Sequence, residues 1–362
     1  MNFRRLSILV LLAIFLISCQ NEDPSSSHSI SSETLKARPY EFLFLQRSYP
    51  HEKLDLKAYL NGLELAQSGS EVKSNLPGFD REWRTRGPAN IGARVNTVAV
   101  DYTNPNIIYA GFSSGGVFKT INGGADWIPI FDDQAYLAIG DITIDPSDPQ
   151  TIYVGTGDPN ISGYPFIGNG LFKSTDGGQS WIHLGLEPQR IISRILIDPA
   201  NPDIIYAACM GIPFERNVDR GLYKSTNGGL DWTQVLFVSE QSGIIDLVMD
   251  PNDSQVLYAA AWDRIRNNME STIAGPNAKI FKTLDGGASW TMLEGGLPQD
   301  SIGRIGLAIS ATNSQKLYAL YVGLNRNLHN IYLTEDGGNN WTPIIPEDNS
   351  SGLSTNALGG FG

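Results

Sequence analysis

Thr120-Ile-Asn122-Gly-Gly124-Ala-Asp-Trp127 recurs along the chain as Ser174-Thr-Asp176-Gly-Gly178-Gln-Ser-Trp181, Ser225-Thr-Asn227-Gly-Gly229-Leu-Asp-Trp232, Thr283-Leu-Asp285-Gly-Gly287-Ala-Ser-Trp290 and Thr334-Glu-Asp336-Gly-Gly338-Asn-Asn-Trp341. The tryptophans are spaced by 54, 51, 58 and 51 residues, and five of the seven in the chain hold this one position. A regular period of this size means a repeat architecture, in which each unit buries its apolar face only against a neighbour. In each copy a hydroxyl and an Asx side chain can satisfy backbone N–H groups of a tight turn. The paired glycines supply backbone angles costly to other residues, and the indole can anchor the turn in an apolar layer. These ten positions, Asn122, Asp176, Asn227, Asp285 and Asp336 with their tryptophans, are therefore expected to be structural. Five Asx side chains committed to their own turns do not make a metal site.

Working outward, an alternating apolar strand precedes each unit, at 95–100, 142–144, 195–197, 244–249 and 305–309. A turn follows, clearest in Asp145-Pro-Ser-Asp-Pro149 and Asp198-Pro-Ala-Asn-Pro202. Next come Ile-Tyr-Ala-like strands at 108–110, 152–154, 205–207, 257–259 and 317–319, then a third strand running into the box, as in Val117-Phe-Lys119, and a short fourth after Trp. Four strands in about 50 residues is the size of a β-propeller blade. The fold class expected is all-β: five four-stranded blades over 86–345. Residues 346–362 read as the start of a further, truncated blade, so that the five form an incomplete part of a larger propeller.

The boxes resemble the Asp box (S/T-x-D/N-x-G-x-x-W) of β-propeller proteins. With Trp83-Arg-Thr-Arg-Gly-Pro-Ala-Asn-Ile-Gly-Ala-Arg94, Gly115-Gly-Val-Phe-Lys119, Gly155-Thr-Gly-Asp158 and Gly303-Arg-Ile-Gly306, the chain over 39–362 is similar to large bacterial sortilin-type, BNR-repeat, glycosyl-hydrolase-like proteins. The resemblance is specific for architecture and not for activity, because one scaffold hosts many functions.

The start of the chain reads as an address. Arg4 and Arg5 precede an apolar run from Leu6 to Ile17, too short for a span of about 20 residues. Leu16-Ile17-Ser18-Cys19 resembles a bacterial lipobox. That implies a signal peptide at 1–18 and lipidation of Cys19, with anchoring in the outer membrane or at the cell surface. Residues 19–38 read as a Ser-rich tether, and 39–85 as an arm with one helix at about 52–67. Lys+Arg number 26 against 38 Asp+Glu, a net charge of −12, the wrong sign for a nucleic-acid binder. No cofactor motif is apparent. The four histidines, 28, 51, 183 and 329, leave few candidates for His-based catalysis, and Cys209 reads as a buried hydrophobe.

Function is expected in the loops between second and third strands, long at 157–166, 211–220 and 262–276. They mix aromatics, carboxylates and Arg, suited to a protein or glycan ligand. The ligand-binding candidates are Asp158, Tyr164, Arg216, Trp262 and Arg264, with Arg94, Arg194 and Arg304 at the start of innermost strands. Those three arginines can converge on an anion or pair with acids of neighbouring blades. The preferred reading is a surface-anchored, non-catalytic binding module. The alternative is a glycoside hydrolase, xyloglucanase-like or sialidase-like, whose complete site needs further blades and for which Asp158 and Asp263 are the candidate acids. Where the resemblance to xyloglucanases implies an Asp before the first Gly-Gly-aromatic strand, the chain has Ser113. No Arg-Ile-Pro segment opens the repeats, as a sialidase would have it.

Overall fold

The computed structural model describes residues 93–163, 165–267 and 269–345, together with Asp55, Lys57, Ala58, Asn61, Gly62 and Leu65. The signal segment, Cys19, the tether, Tyr164 and the segment 346–362 lie outside the described residues. Within the expected helix, Lys57, Ala58, Asn61, Gly62 and Leu65 are helical. The Asp55 carboxylate accepts the Ala58 N–H at 2.9 Å, as an N-cap does.

The repeat region forms five antiparallel four-stranded sheets in chain order. The first contains β1 (Val95–Val100), β2 (Ile108–Phe112), β3 (Val117–Thr120) and β4 (Ile128–Pro129). The second contains β5 (Ile139–Ile144), β6 (Ile152–Thr156), β7 (Leu171–Ser174) and β8 (Ile182–His183), and the third β9 (Ile192–Ile197), β10 (Ile205–Cys209), β11 (Gly221–Ser225) and β12 (Thr233–Leu236). The fourth is built from β13 (Ser242–Asp250), β14 (Asp253–Asp263), β17 (Ile280–Thr283) and β18 (Thr291–Met292), with a small hairpin, β15 (Ile265–Arg266) and β16 (Ser271–Thr272), inserted in its long loop. The fifth has β19 (Ile305–Ile309), β20 (Leu317–Val322), β21 (Leu328–Thr334) and β22 (Thr342–Pro343). The first strands of successive sheets lie against one another, β1 on β5, β5 on β9, β9 on β13 and β13 on β19. This is an incomplete β-propeller of five blades.

The box turns behave as their chemistry dictates. In the second, Ser174 Oγ donates to Asp176 Oδ1 at 2.7 Å and accepts the Gly178 N–H at 2.8 Å, while Asp176 Oδ1 accepts the Ser180 N–H at 2.9 Å. The other four turns repeat the arrangement. Both glycines of every box have positive φ, from 64° to 95°, where a side chain is disfavoured.

The turns also join the blades. Tyr206 Oη and Lys224 Nζ of the third blade both donate to the Gly286 carbonyl in the box of the fourth, at 2.9 and 2.7 Å. Tyr258 and Lys282 of the fourth hold the Gly337 carbonyl of the fifth in the same way, at 2.8 and 2.6 Å. At the first junction Lys119 donates to Gly177 at 2.8 Å. In the opposite direction, the indole N–H of Trp181 donates to the Ile130 carbonyl of the preceding blade, and that of Trp232 to Leu184. Nearer the axis, Asp141 accepts the Ile195 N–H and Asp246 the Leu307 N–H, each at 2.8–2.9 Å and each across a blade boundary.

Among the described residues, the two ends of the array lack these partners. Trp127 is 41% exposed, and Val98 and Val100 of β1 are exposed as well. Tyr109, Tyr153, Tyr206 and Tyr258 are each 1% exposed, whereas their counterpart Tyr318 in the fifth blade is 38% exposed. Leu333 there replaces the lysine found at 119, 173, 224 and 282. The expectation that every box tryptophan is seated between blades therefore fails at Trp127, because no preceding blade is among the described residues.

Trp181 is half-buried against Phe131 and bonded to the preceding blade, so Trp181→Ala should cost about 3 kcal/mol, the low end for core aromatic truncations. Trp127→Ala should cost about 1 kcal/mol, since little area is removed from water. Denaturant midpoints of the two variants check the order. A second expectation concerns acid. The Ser289 hydroxyl, with Thr283, holds the Asp285 carboxyl down at about 2, and the Asn340 amide groups, with Thr334, do the same for Asp336. These depressed values contribute stability that is present above the unfolded Asp pKa of about 3.9 and is lost as pH falls toward 2. Melting temperature followed from pH 7 to pH 2 should fall below pH 4, and less steeply in Asp285→Asn, which keeps the acceptor oxygen.

Candidate functional site

Among the loops joining second to third strands, the one after β6 bonds to residues of the first, fourth and fifth blades. Its Asp158 is fully buried. It pairs with Arg94 of the first blade and accepts from Asn96 Nδ2 and from the Asn160 N–H, both at 3.1 Å. Asn160 then spans to the fifth blade, where its Oδ1 accepts from Arg304 Nη1 at 2.6 Å. The next residue, Ile161, is fully buried in the apolar cluster that contains Trp262, Ile302 and Tyr321. Its φ is 43°, a genuine outlier for a β-branched residue, worth about 1–3 kcal/mol of strain. The Ile161 carbonyl accepts from Arg264 of the fourth blade, which helps hold that conformation.

Two further arginines organise the neighbouring loops. Arg220 is fully buried and donates to the carbonyls of Ile212, Glu215 and Arg264, at 2.6, 3.1 and 3.1 Å. Burial pushes it down to about 10. Arg216 makes a two-pronged pair with Glu270 at 2.8 and 2.9 Å, tying the loop of the third blade to the hairpin of the fourth. Being exposed, that pair contributes little to stability and serves to set loop geometry.

Beside the crossing loop lies a cavity of about 370 Å³. Arg94, Arg264, Arg266, Arg304 and Arg326 line it, and none of its described lining residues is acidic. Trp262 forms part of the floor. Its N–H donates to the Ile273 carbonyl at 2.8 Å. The guanidinium carbons of Arg264 and Arg304 lie 5.5 and 5.9 Å from its ring centroid, within cation–π range. Burial, with Arg266 and Arg326 nearby, lowers Arg264 to about 9. Arg304 is also lowered, first by burial and then by the like charges of Arg194 and Arg94 acting against Asp246 and Asp158.

The expected site residues separate into groups. Arg94, Arg304, Trp262 and Arg264 meet at the cavity. Arg194 does not. It donates to Asp246 at 2.8 and 3.0 Å and lies 3.7 Å from Asp141, so it joins blades instead of converging with the other two. Although burial opposes it, those acids push Arg194 up. Arg216 is committed to Glu270. Neither candidate acid lines the cavity. Asp263 is fully buried, accepts the Ser242 hydroxyl and the Asn277 N–H, and leaves so little room that a Cβ at Gly275 would lie 2.0 Å from its Oδ2. Asn160, Arg266 and Arg326 were not singled out by sequence reasoning. Asn160 stood unmarked within a loop already flagged, and Arg326 sits in a short turn that carries no repeat.

Compared with known proteins, the chain matches no family profile. It is 23% identical over 232 residues to the xyloglucanase Xgh74A of Acetivibrio thermocellus, covering 55% of this chain and 25% of that protein. It is 28% identical over 193 residues to a xyloglucanase of Hypocrea jecorina, covering 48% of this chain and 22% of that one. The chain thus spans about a quarter of the length of these curated relatives. Among solved structures, an ancestral GH74 enzyme superposes with a TM-score of 0.54 at 22% identity, covering 70% of this chain and 31% of that one. The GH74 enzyme of Niastella koreensis gives 0.51 at 22% identity, over 71% and 38%. At such identities the superpositions speak to fold, and they agree with a partial propeller.

Proposed function

We propose that this chain is part of a surface-anchored β-propeller that binds a carbohydrate without cleaving it. The similarity to xyloglucanases supports the ligand class. The observation that carries the non-catalytic reading is the state of the two candidate acids. A glycosidase needs one carboxyl to protonate the leaving oxygen and another to act on the opposite face of the bond. Asp158 and Asp263 are fully buried and bonded to Arg94, Asn96, Ser242 and Asn277, and Ser113 stands where the xyloglucanase resemblance implies an Asp. The second reading, a glycoside hydrolase completed by further blades, is favoured by the names of the relatives.

Xyloglucan and other soluble β-glucans offered to the protein should bind, by calorimetry, with no new reducing ends released. Release that disappears in Asp158→Asn or Asp263→Asn, with melting temperature unchanged, would establish the hydrolase instead. The anchor has its own check. Acylation of Cys19 adds about 0.8 kcal/mol of membrane affinity per buried methylene, so the intact chain should partition into a detergent phase and Cys19→Ser into the aqueous phase.

A further inference from the structure

We propose that the cavity beside the crossing loop is a subsite for an acidic sugar, one that bears a carboxylate such as a uronic acid at the end of a short oligosaccharide. The inference rests on the carbohydrate reading above and narrows it.

Charge is the first argument. The protein carries a net charge of −12, yet five arginines converge on one cavity with no acid among its described lining residues. Arg94 is paired with Asp158. Arg264, Arg304 and Arg326 form no ion pair among the described residues: Arg264 is held by the carbonyls of Thr272 and Ile161, and Arg304 by Asn160. Unneutralised guanidinium groups crowded together repel one another, and an anion placed among them relieves that repulsion. Arg264 and Arg304 are both lowered, first by burial and then by neighbouring like charges, with Asp246 and Asp158 acting against this at Arg304. A guanidinium offers a planar fork of donors matched to a planar carboxylate.

Shape is the second argument. The arginines share the lining with the apolar side chains of Ile161, Ile273, Leu320 and Val322. A uronic acid in its pyranose form combines the two, with C–H groups on its ring faces and a carboxylate at one edge. A volume of 370 Å³ lies at the small end of ligand pockets, about 300–1,000 Å³, which suits a chain terminus. The strained backbone at Ile161 is the third argument. Such strain persists where surroundings over-determine it, commonly at ligand sites, and here it sets both the Ile161 side chain in the lining and the carbonyl that fixes Arg264.

The test is calorimetric titration of the full chain with digalacturonate, its carboxyl-reduced neutral counterpart, a sulfated disaccharide and a neutral xyloglucan oligosaccharide. Digalacturonate should bind at least about tenfold more tightly than its neutral counterpart, the size of one charge-assisted hydrogen bond, and should weaken as salt rises. Arg326→Gln, on an exposed turn, should remove about tenfold of that affinity while the melting temperature stays put, and Arg304→Gln should remove a similar share while also lowering the melting temperature, because Arg304 holds Asn160. Equal binding of acidic and neutral sugars would overturn this inference and leave the carbohydrate reading standing. Binding of none of the four would overturn both. Tighter binding of the sulfated sugar than of digalacturonate would overturn the carboxylate assignment.

Discussion

At three of the box turns a single glycine carbonyl oxygen, of Gly177, Gly286 or Gly337, links the turn to the preceding blade. Because both glycines adopt positive φ, the peptide of the first turns outward, and its oxygen meets the hydroxyl and ammonium of the preceding blade. At the third and fourth junctions both donors are present, to Gly286 and Gly337. The lysine also lies about 5 Å from the centroid of the same tyrosine ring, so its position is set by cation–π attraction as well as by the carbonyl. Every other feature inherits this geometry. Blades set at a fixed offset bring Asp141, Arg194 and Asp246 into register along the axis, and they place the loops of the second, fourth and fifth blades around one cavity.

How legible this was in the sequence depends on the range of the interaction. The box is local, so Thr120, Asn122 and their counterparts announce it without reference to the rest of the chain. The strands are legible because apolar alternation and Pro-containing turns recur at a constant interval. Blade-to-blade donors are half legible. Ile-Tyr-Ala and Phe-Lys recur visibly, but which atom the tyrosine and lysine reach depends on the neighbouring sheet. The site was the least accessible part. Arg94, Arg194 and Arg304 occupy equivalent positions in the sequence, yet two face the cavity and one bridges acids of adjacent blades. The difference lies in Asp246, supplied by the next blade, and in a loop that crosses to meet Arg304. Neither leaves a mark at the arginine itself.

The polar residues near the axis divide into those that stabilise and those left with unspent binding capacity. Asp158, Asp263, Arg216 and Arg220 are engaged by neighbours, and their chemistry is used in holding loops together. Arg264, Arg304 and Arg326 form no ion pair among the described residues. On the reading proposed above, a loop face of this kind serves recognition. The loops are held firmly and the cavity has one sign of charge, and the two carboxylates the chain offered for acid–base work are locked into its frame.

The hydrogen bond from Arg304 to Asn160 joins residues 144 apart in sequence, and that from Arg264 to Ile161 joins residues 103 apart. In a simple repeat array each unit contacts only its neighbours, and structure can start anywhere and spread. These long closures break that independence. The second blade cannot reach its final arrangement until the fourth and fifth have been made, and the entropic cost of bringing such distant segments together must be met before their contacts repay it. During synthesis the loop after β6 therefore emerges well before its partners, and the strained turn at Ile161 is set only when the chain has been extended far enough to clasp it.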